Sequence, residues 1–369
     1  MARLLVTGGA GFIGANFVHH WAAHHADDAL VVLDALTYAG NRESLAPLLD
    51  RGRVSFVHGD ICDAELVAGV LRRHDIDTIV NFAAESHVDR SIDGPAVFVR
   101  SNVVGTQTLL ECARHAWLGP PAPRRHRFHQ ISTDEVYGSL GPADPPFSET
   151  TPYAPSSPYA ASKAAADHLV RAYAHTYGLA CTISNCSNNY GPLQFPEKLI
   201  PLALTRVLHG QPVPIYGDGR NVRDWLHVED HCSGIEAILL DGRAGETYNI
   251  GGNCEQDNLT LIGMLCAAVD RALEADAQLR ARFPACPAAH GESSARLVEF
   301  VRDRPGHDRR YAIDARKIAR ELHFAPRHTL ADGLAATVAW WLAHEAWWRP
   351  ALARAGAPAP GARAPRRAP

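Results

Sequence analysis

The sequence predicts an α/β fold in which a doubly wound parallel sheet carries a smaller C-terminal substrate-binding lobe. Short apolar runs alternate with helical segments through the first half of the chain, the pattern of parallel strands joined by helices. The first run, Arg3 to Thr7, leads into a glycine-rich turn and a helical segment, Ala15 to His25. Beyond Tyr190 the composition changes to proline-punctuated stretches, typical of loops and short elements.

The glycine-rich turn, Gly8-Gly9-Ala10-Gly11-Phe12-Ile13-Gly14, satisfies both Gly-x-x-Gly-x-x-Gly and Gly-x-Gly-x-x-Gly. Such glycines let backbone N–H groups approach a pyrophosphate at the start of a helix. A second apolar strand, Ala29 to Leu33, ends in Asp34, twenty residues past Gly14, where a carboxylate meets an adenosine ribose hydroxyl. A glycine turn alone indicates only a loop, but the turn with its helix, strand and acid predicts bound NAD. Asp34 would repel the 2′-phosphate of NADP, and Arg42 is the nearest base that weakens this preference.

Three further strands are predicted at Val54 to His58, Thr78 to Phe82 and Arg127 to Ile131. Ligands of open parallel sheets bind at the carboxyl ends of the strands. Those ends carry Gly59-Asp60-Ile61, Ala83-Ala84-Glu85-Ser86 and Ser132-Thr133-Asp134-Glu135. An Asp-Glu pair most often caps a following turn, but at the end of a strand in a dinucleotide-binding sheet we favour a functional role.

Tyr159 and Lys163 are spaced to lie on one face of a helix. The segment Ala160 to Val170 favours helix, and Pro158 suits its first turn. An ammonium ion beside the phenol stabilises phenolate, so we expect the pKa of Tyr159 to be lowered from its usual value of about 10. Such a tyrosine can take a proton from an alcohol. The spacing is common by chance, and the surrounding motifs are what favour function.

The predicted domains are an NAD-binding unit over residues 1–190, with a returning strand near 246–250, and a substrate lobe over 191–345. Residues 281–296 resemble an insertion. Residues 350–369 form a Pro/Ala/Arg tail that lacks the apolar content to pack and is predicted to be disordered.

Composition excludes several classes of protein. The net charge is −4 with acids and bases mixed, which argues against binding to nucleic acid or a membrane surface. No apolar run approaches the ~20 residues that span a bilayer. The eight cysteines include no Cys-x-x-Cys pair, which favours reduced thiols in a cytoplasmic protein. His227 and His231 have helical metal-ligand spacing, but no third ligand is near in the sequence, so no metal is predicted.

The motifs together resemble those of extended short-chain dehydrogenases, and more narrowly of the dTDP-glucose 4,6-dehydratase family. The resemblance runs from Arg3 to about Trp341, and its most specific part is Thr133-Asp134-Glu135. The segments that carry it are residues 8–14, 34–41, 84–91, 132–138, 159–163, 185–192, 195–201, 223–225 and 303–311.

The resemblance implies NAD-dependent dehydration of dTDP-glucose to dTDP-4-keto-6-deoxyglucose, in deoxysugar biosynthesis, by a homodimer. The implied catalytic residues are Thr133, Asp134, Glu135, Tyr159 and Lys163. Besides Tyr159 and Lys163, the predicted cofactor residues are Gly8, Gly11, Phe12, Ile13, Gly14, Asp34, Ala35, Leu36, Thr37, Asp60, Ile61, Phe82, Ala83, Ala84, Ser86, Ser101 and Asn189. The predicted substrate residues are Ser86, Thr133, Asn188, Lys198, Leu199, Pro214, Tyr216, Arg223, Asn258, Asp303, Arg304 and His307.

Three alternatives stay open at this point. A 4,6-dehydratase for another nucleotide sugar would keep the carboxylates and change only the nucleotide pocket. Relatives place a substrate-contacting tyrosine near the C-terminus, and no tyrosine follows Tyr311 here. A sugar-nucleotide 4-epimerase needs Tyr159 and Lys163 but no Asp-Glu pair, and a non-catalytic NAD-binding sensor or scaffold needs neither pair.

Overall fold

The computed structural model describes residues 1–119, 125–303 and 307–355. Within these residues, seven parallel strands form one sheet in the order β10-β6-β5-β4-β1-β2-β3. The strands in chain order are β1 (Arg3–Thr7), β2 (Ala29–Asp34), β3 (Val54–His58), β4 (Thr78–Asn81), β5 (Arg127–Thr133), β6 (Cys181–Cys186), β7 (Asn188–Tyr190), β8 (Val213–Tyr216), β9 (Val222–His227), β10 (Thr247–Ile250), β11 (Glu255–Asp257) and β12 (Val298–Val301).

Helices cover both faces of the sheet and build the second lobe. A π-helical segment, Val99–Val104, joins the fifth helix to the sixth. The α-helices are α1 (Phe12–His24), α2 (Ala46–Leu49), α3 (Ala64–Arg73), α4 (Val88–Asp93), α5 (Pro95–Phe98), α6 (Gly105–Trp117), α7 (Pro158–Tyr177), α8 (Leu199–Leu208), α9 (Val228–Asp241), α10 (Asn258–Ala275), α11 (Ala277–Arg282), α12 (Arg316–Leu322), α13 (Leu330–Ala343) and α14 (Glu345–Ala355).

The predicted doubly wound sheet is confirmed, and the returning strand is β10. It pairs with β6, which the sequence did not predict and which lies between β10 and β5. The sequence of β6 alternates polar and apolar residues, and its polar side chains are buried: His129 on β5 contacts the hydroxyls of Thr182 and Ser184 at 2.9 and 3.1 Å. A buried strand that carries such pairs does not read as a continuous apolar run.

Two helices from beyond residue 190 also pack on the sheet. Cys232 and Ile235 of α9 and Ile318 of α12 share an apolar core with Val6 and Val32 of the first two strands. The predicted NAD-binding unit of residues 1–190 included the returning strand but not these helices, so the chain passes between the lobes more often than predicted.

The second lobe has its own apolar core, built from α8, α10, α13 and α14. Its small sheets have the strand orders β11-β9-β7 and β12-β8. The segment 281–296 packs against this core through the buried residues Phe283 and Cys286. Helix α14 runs to Ala355 with Ala351 fully buried, so the disorder predicted from residue 350 is wrong for 350–355. Residues 356–369 lie outside the described part of the chain.

We find no helix of sufficient length and apolarity to cross a membrane among the described residues.

Candidate active site

A cavity of about 380 Å³ opens at the carboxyl ends of the sheet strands. Its wall contains all five predicted catalytic residues. The predicted cofactor residues in the wall are Gly8, Gly11, Phe12, Ile13, Gly14, Asp34, Ala35, Thr37, Asp60, Ile61, Phe82, Ala83, Ala84, Ser86, Ser101 and Asn189. The predicted substrate residues there are Ser86, Thr133, Asn188, Lys198 and Leu199. Leu36 lies behind the wall, where its N–H donates to Asp34 at 2.8 Å.

The glycine turn brings backbone, rather than side chains, to the cavity. Gly8 has a φ of +66°, and a Cβ there would lie 2.6 Å from the amide nitrogen of Ala83. A Cβ on Gly14 would overlap the carbonyl oxygen of Gly8. Helix α1 begins after Gly11 with no side-chain cap, so its first N–H groups are available to an anion. This cradle fits a dinucleotide pyrophosphate.

Asp34 is fixed at the end of β2. Its two carboxylate oxygens accept the N–H groups of Ala10 and Leu36 at 2.9 and 2.8 Å, and each keeps acceptor capacity for a ribose hydroxyl. Arg42, the base that weakens the preference for NAD, has its guanidinium over the ring of Phe56, 5.4 Å from the ring centroid. The position of the Asp34 carboxylate therefore fits the ribose of NAD, as the sequence predicts.

The carboxylates Asp134 and Glu135 follow β5 in a single 3₁₀ turn that begins at Thr133. The Thr133 hydroxyl accepts the N–H of Glu135 at 3.3 Å and donates to Asp134 at 3.4 Å. Asp134 is 2% exposed, and its Oδ2 has no hydrogen-bond partner among the described residues. Burial first, then the negative charges of Glu135 and Asp224, raise the pKa of Asp134 well above its usual value. Asp134 is thus held as a neutral acid beside a second carboxylate.

Tyr159 and Lys163 lie near the start of α7, and both are buried. Burial first, then the negative charge of Glu135, raise the pKa of Tyr159 well above its usual value, and a hydrogen bond with Thr133 opposes this. The Lys163 ammonium donates to the carbonyl oxygen of Ile131 at 2.6 Å. The lowered tyrosine pKa predicted from the sequence is therefore wrong as far as the chain's own groups determine it, because burial and the charge of Glu135 raise the pKa of Tyr159.

Apart from Arg223 and Arg304, the other predicted substrate residues lie outside the cavity wall, around the β8–β12 sheet. Pro214 and Tyr216 are on β8, and Asn258 begins α10. The His307 and Asp303 side chains are 2.7 Å apart, and the ring of Tyr216 meets His307 edge-on at 6.3 Å. Arg304 lies outside the described residues.

Arg223 connects this region to the carboxylates. Its guanidinium donates to the carbonyl oxygen of Asp308 at 2.9 Å and lies over the ring of Tyr311. Its positive charge also acts on Asp134, where it partly offsets the raised pKa. This position suits an anionic substrate group that approaches the carboxylates.

The structure does bring His227 together with two other potential metal ligands, and one of them, His328, comes from a distant part of the chain. Ligand atoms of His227, Glu229 and His328 lie within 4.8 Å of one another. However, the Nδ1 of His227 accepts the N–H of Glu229 and so caps α9, which leaves only its other ring nitrogen for a metal ion. The rings of His227 and His328 are tilted by 32° with centroids 4.1 Å apart. His231 instead contacts the amide of Asn189 at 2.9 Å.

The sequence interpretation missed Glu197, which also lines the cavity. Its carboxylate lies 3.5 Å from Arg90 and 3.6 Å from His87. Neither of its oxygens has a hydrogen-bond partner among the described residues. The signal was available, because Glu197 directly precedes Lys198 in a segment already chosen for substrate.

Comparisons with known proteins show the family to which the chain belongs. The GDP-mannose 4,6 dehydratase family matches residues 5–337. A dTDP-glucose 4,6-dehydratase of Xanthomonas campestris pv. campestris is 52% identical over 349 residues, which cover 94% of this chain and 95% of that protein. The chain belongs to the dTDP-glucose 4,6-dehydratase family. Another member, dTDP-glucose 4,6-dehydratase 1 of Escherichia coli K12, is 49% identical over 94% of each chain.

Solved structures of the family share the fold. The dTDP-glucose 4,6-dehydratase DesIV of Streptomyces venezuelae, crystallised with NAD and dTDP, has a TM-score of 0.83 and 50% identity, covering 95% of this chain and 99% of that one. The UDP-glucose 4-epimerase of Thermotoga maritima is more distant, with a TM-score of 0.77 and 26% identity over 92% of this chain and 98% of that one. The fold thus serves both reaction types, and the site must distinguish them.

Proposed function

We propose that the protein is a dTDP-glucose 4,6-dehydratase, which converts dTDP-glucose to dTDP-4-keto-6-deoxyglucose and water. The observation that carries this function is the neutral, buried Asp134 beside Glu135, in the same cavity as Tyr159 and Lys163. An epimerase moves a hydride at one carbon and needs no acid to expel a hydroxyl. A dehydratase needs an acid and a base at neighbouring carbons.

The NAD cofactor is held by the glycine turn, the start of α1 and Asp34. When bound, it supplies a hydride acceptor that later returns the hydride, and its oxidised form adds a positive charge to the cavity. Crystal structures of related dehydratases with NAD bound support this assignment.

Oxidation at C4 requires that a proton leave the 4-hydroxyl. Tyr159 takes this proton, and Thr133, whose hydroxyl lies beside the phenol, hydrogen-bonds the 4-oxygen. Lys163 supplies the positive charge that stabilises the phenolate. Burial disfavours the charged form of both groups. The phenolate of Tyr159 and the ammonium of Lys163 are therefore most stable together, because their opposite charges cancel.

Elimination of water then requires a base at C5 and an acid at C6. The new 4-ketone acidifies the C5 proton, which Glu135 removes. Asp134, which burial keeps protonated, gives its proton to the departing C6 hydroxyl. Adjacent carboxylates hold different protonation states when their surroundings separate their pKa values, and the difference between the buried Asp134 and the half-buried Glu135 supports this division of roles.

A product assay across dTDP-glucose, UDP-glucose, GDP-glucose and GDP-mannose tests this function. We expect a 4-keto-6-deoxy product from dTDP-glucose at the highest kcat/KM. A higher kcat/KM with another nucleotide sugar would mean that the protein is a 4,6-dehydratase for that sugar. An epimerised sugar that keeps its C6 hydroxyl would indicate a 4-epimerase, and no turnover with bound NAD would indicate a sensor or scaffold.

We further propose that the active protein is a homodimer, which the family resemblance places at the helices around Asn102 to Trp117 and Tyr159 to Tyr177, and that the adjoining α4, α5 and π segment extend this surface. Supporting this, four apolar side chains on α4, α5 and the π segment are each between 46% and 52% exposed: Ile92, Val97, Val99 and Val104. Exposed apolar groups clustered in this way mark interaction surfaces. Light scattering should show dimers for the parent and monomers for Ile92→Asp. The same change at Leu240 on α9, which is 45% exposed, should leave the dimer intact.

The protein acts in the cytoplasm. All eight cysteines are free thiols in the structure, which suits a reducing compartment. A fluorescent fusion found outside the cytoplasm would contradict this location.

A further inference from the structure

A fully buried carboxylate lies beneath the reacting groups, one helical turn beyond Lys163. Asp167 is 0% exposed. Its Oδ2 accepts the hydroxyl of Ser132 on β5 at 2.6 Å and that of Tyr153 at 3.1 Å. Its Oδ1 has no hydrogen-bond partner within the described ranges. A buried carboxylate with an unpartnered oxygen is costly unless it serves a charge nearby.

The cation whose charge acts most strongly on Asp167 is Lys163. The two residues are spaced i,i+4 on α7, so their side chains lie on one face. Lys163 is 4% exposed, and only one hydrogen bond from its ammonium is described, to the carbonyl oxygen of Ile131. Burial lowers the pKa of Lys163, and the negative charge of Asp167 is the largest effect that opposes this.

The same helical face continues to Arg171. Its guanidinium donates to the hydroxyl of Tyr153 at 2.7 Å and to that of Thr247 at 3.3 Å. Asp167 therefore lies between two cations along α7. The hydroxyls of Ser132 and Tyr153 hold its carboxylate in place from outside the helix.

We propose that Asp167 is a positioning residue for the reaction, whose carboxylate is the counter-charge that keeps the buried Lys163 ammonium protonated and in place beside Tyr159. This inference rests on the proposed function, in which Lys163 must be charged when Tyr159 loses its proton. Asp167 itself lies outside the cavity wall and touches neither reacting group.

The groups that face this pair come from every surrounding element. Lys163 faces Asp167 on its own helix and the thiol of Cys186 on β6, and burial keeps that thiol neutral by raising its pKa. Asp167 faces Arg171 on its own helix, Ser132 on β5, and two tyrosines: Tyr153 and Tyr137. Burial raises the pKa of both tyrosines, so they stay neutral. Burial raises the pKa of Asp167, and the positive charge of Lys163 is the largest effect that opposes this, so Asp167 and Lys163 each favour the charged form of the other.

A purely structural role for Asp167 predicts a different result. In that case its hydrogen bonds would only tie β5 to α7, and its loss would lower stability and the amount of active protein without moving the pH dependence of catalysis. A counter-charge role instead predicts that the pH dependence itself moves.

The test is Asp167→Asn, which keeps the shape and removes the charge. We expect kcat to fall most at high pH, because Lys163 then loses its proton at lower pH, so the alkaline limb of the kcat profile should shift down by about one unit or more. KM for dTDP-glucose should change by less than about threefold. Asp270→Asn, which removes a carboxylate that accepts the N–H of Ser294 in the second lobe, is the matched control and should leave the limb in place.

A second readout does not depend on turnover. The chain contains three lysines, Lys163, Lys198 and Lys317, so ¹⁵N labelling of lysine side chains gives three NMR signals, and Lys163→Met identifies one of them. The Lys163 signal should titrate at lower pH in Asp167→Asn than in the parent, while the other two stay unchanged. If Asp167→Asn does not fold, Tyr153→Phe should shift the same signal in the same direction by less.

The outcomes separate the two proposals. A parent that makes no keto product, but whose Lys163 signal shifts with Asp167, would overturn the proposed function and leave the ion pair standing. A Lys163 titration and an alkaline limb that are both unchanged in the variant would overturn the role of Asp167.

Discussion

Asp134 and Glu135 are neighbours in the chain, yet their surroundings differ in a way that suits the opposite tasks we propose for them. Asp134 is 2% exposed and held protonated, whereas Glu135 is only half-buried. A protonated acid can release a hydroxyl as water, and an ionised one can remove a carbon-bound proton. The division depends on burial rather than on residue type, which is why it becomes visible only in the folded chain.

Replacing Asp134 by Asn should block elimination while leaving oxidation in place. Asparagine fits the same space but has no acidic proton to give, so formation of keto-deoxysugar should fall roughly 10²–10⁴-fold. Rapid mixing with dTDP-glucose should show NADH accumulating in the variant. The exposed Asp27→Asn controls for the chemical change. Product release at the parent rate would remove Asp134 from the mechanism.

The raised pKa of Asp134 also predicts how stability depends on pH. Above the ordinary carboxyl pKa of 3.8, the unfolded chain loses this proton more readily than the folded chain, in which the pKa of Asp134 is raised, so the free energy of unfolding falls as the pH rises. The loss continues until the folded-state pKa is reached. The Asp134→Asn variant has no carboxyl group at this position and should not lose stability in this way as the pH rises.

Urea unfolding at about pH 5 and about pH 7 measures this difference. The Asp134→Asn variant should gain stability relative to the parent as pH rises. A difference between the two proteins that is the same at both pH values would mean that Asp134 is ionised in the folded protein.

At the level of elements, the turn between β1 and α1 depends on glycine because backbone atoms occupy the space that a side chain would take. Gly14→Ala would press its Cβ against the carbonyl oxygen of Gly8 and displace the start of α1. We expect the purified variant to carry little NAD, whereas the denatured parent should release NAD and not NADP.

The matched control for this change is Gly69→Ala. Gly69 lies within α3, and a Cβ there would meet nothing within 4 Å. Alanine should therefore stabilise the helix by up to about 1 kcal/mol and leave the NAD content at the parental level. Equal NAD content in both variants would contradict the role of the turn.

How far the sequence predicts these elements depends on what each one buries. The strands Arg3–Thr7 and Val54–His58, whose apolar residues stand out in the local sequence, were predicted with their observed bounds. Strand β6 was not, because Thr182 and Ser184 are buried only through their partner His129, which comes from another strand. The helix that carries Tyr159 and Lys163 was predicted, and it spans Pro158–Tyr177.

The sequence predicts the site to the same extent, because it shows spacing but not burial. Motif spacing placed the catalytic residues in one cavity, because each follows a strand or begins a helix at the same edge of the sheet. It did not predict the raised pKa of Tyr159, since burial is a property of the folded chain. Asp167 was passed over because nothing in its local sequence shows that Ser132 and Tyr153 converge on it.

On the scale of the whole molecule, the two lobes meet around the cavity. The first lobe supplies the glycine turn, the carboxylates and Tyr159, and the second contributes Lys198 and Leu199 to the same wall. Arg310 of the second lobe pairs with Glu255 at 2.6 Å and also donates to the carbonyl oxygen of Asp144 in the first lobe at 2.7 Å. A sugar enclosed between the lobes can stay in place through several chemical steps.

The central claim is that one hydride leaves C4 and returns to C6 of the same sugar. Mixing dTDP-glucose deuterated at C4 with unlabelled substrate, and reading the product by mass and NMR, measures this directly. We predict product deuterated at C6 within one molecule, no lasting rise in NADH and, in deuterated water, solvent deuterium at C5, because the proton on Glu135 exchanges before it is returned. Label that stays at C4, or that is scrambled between molecules, would contradict the mechanism.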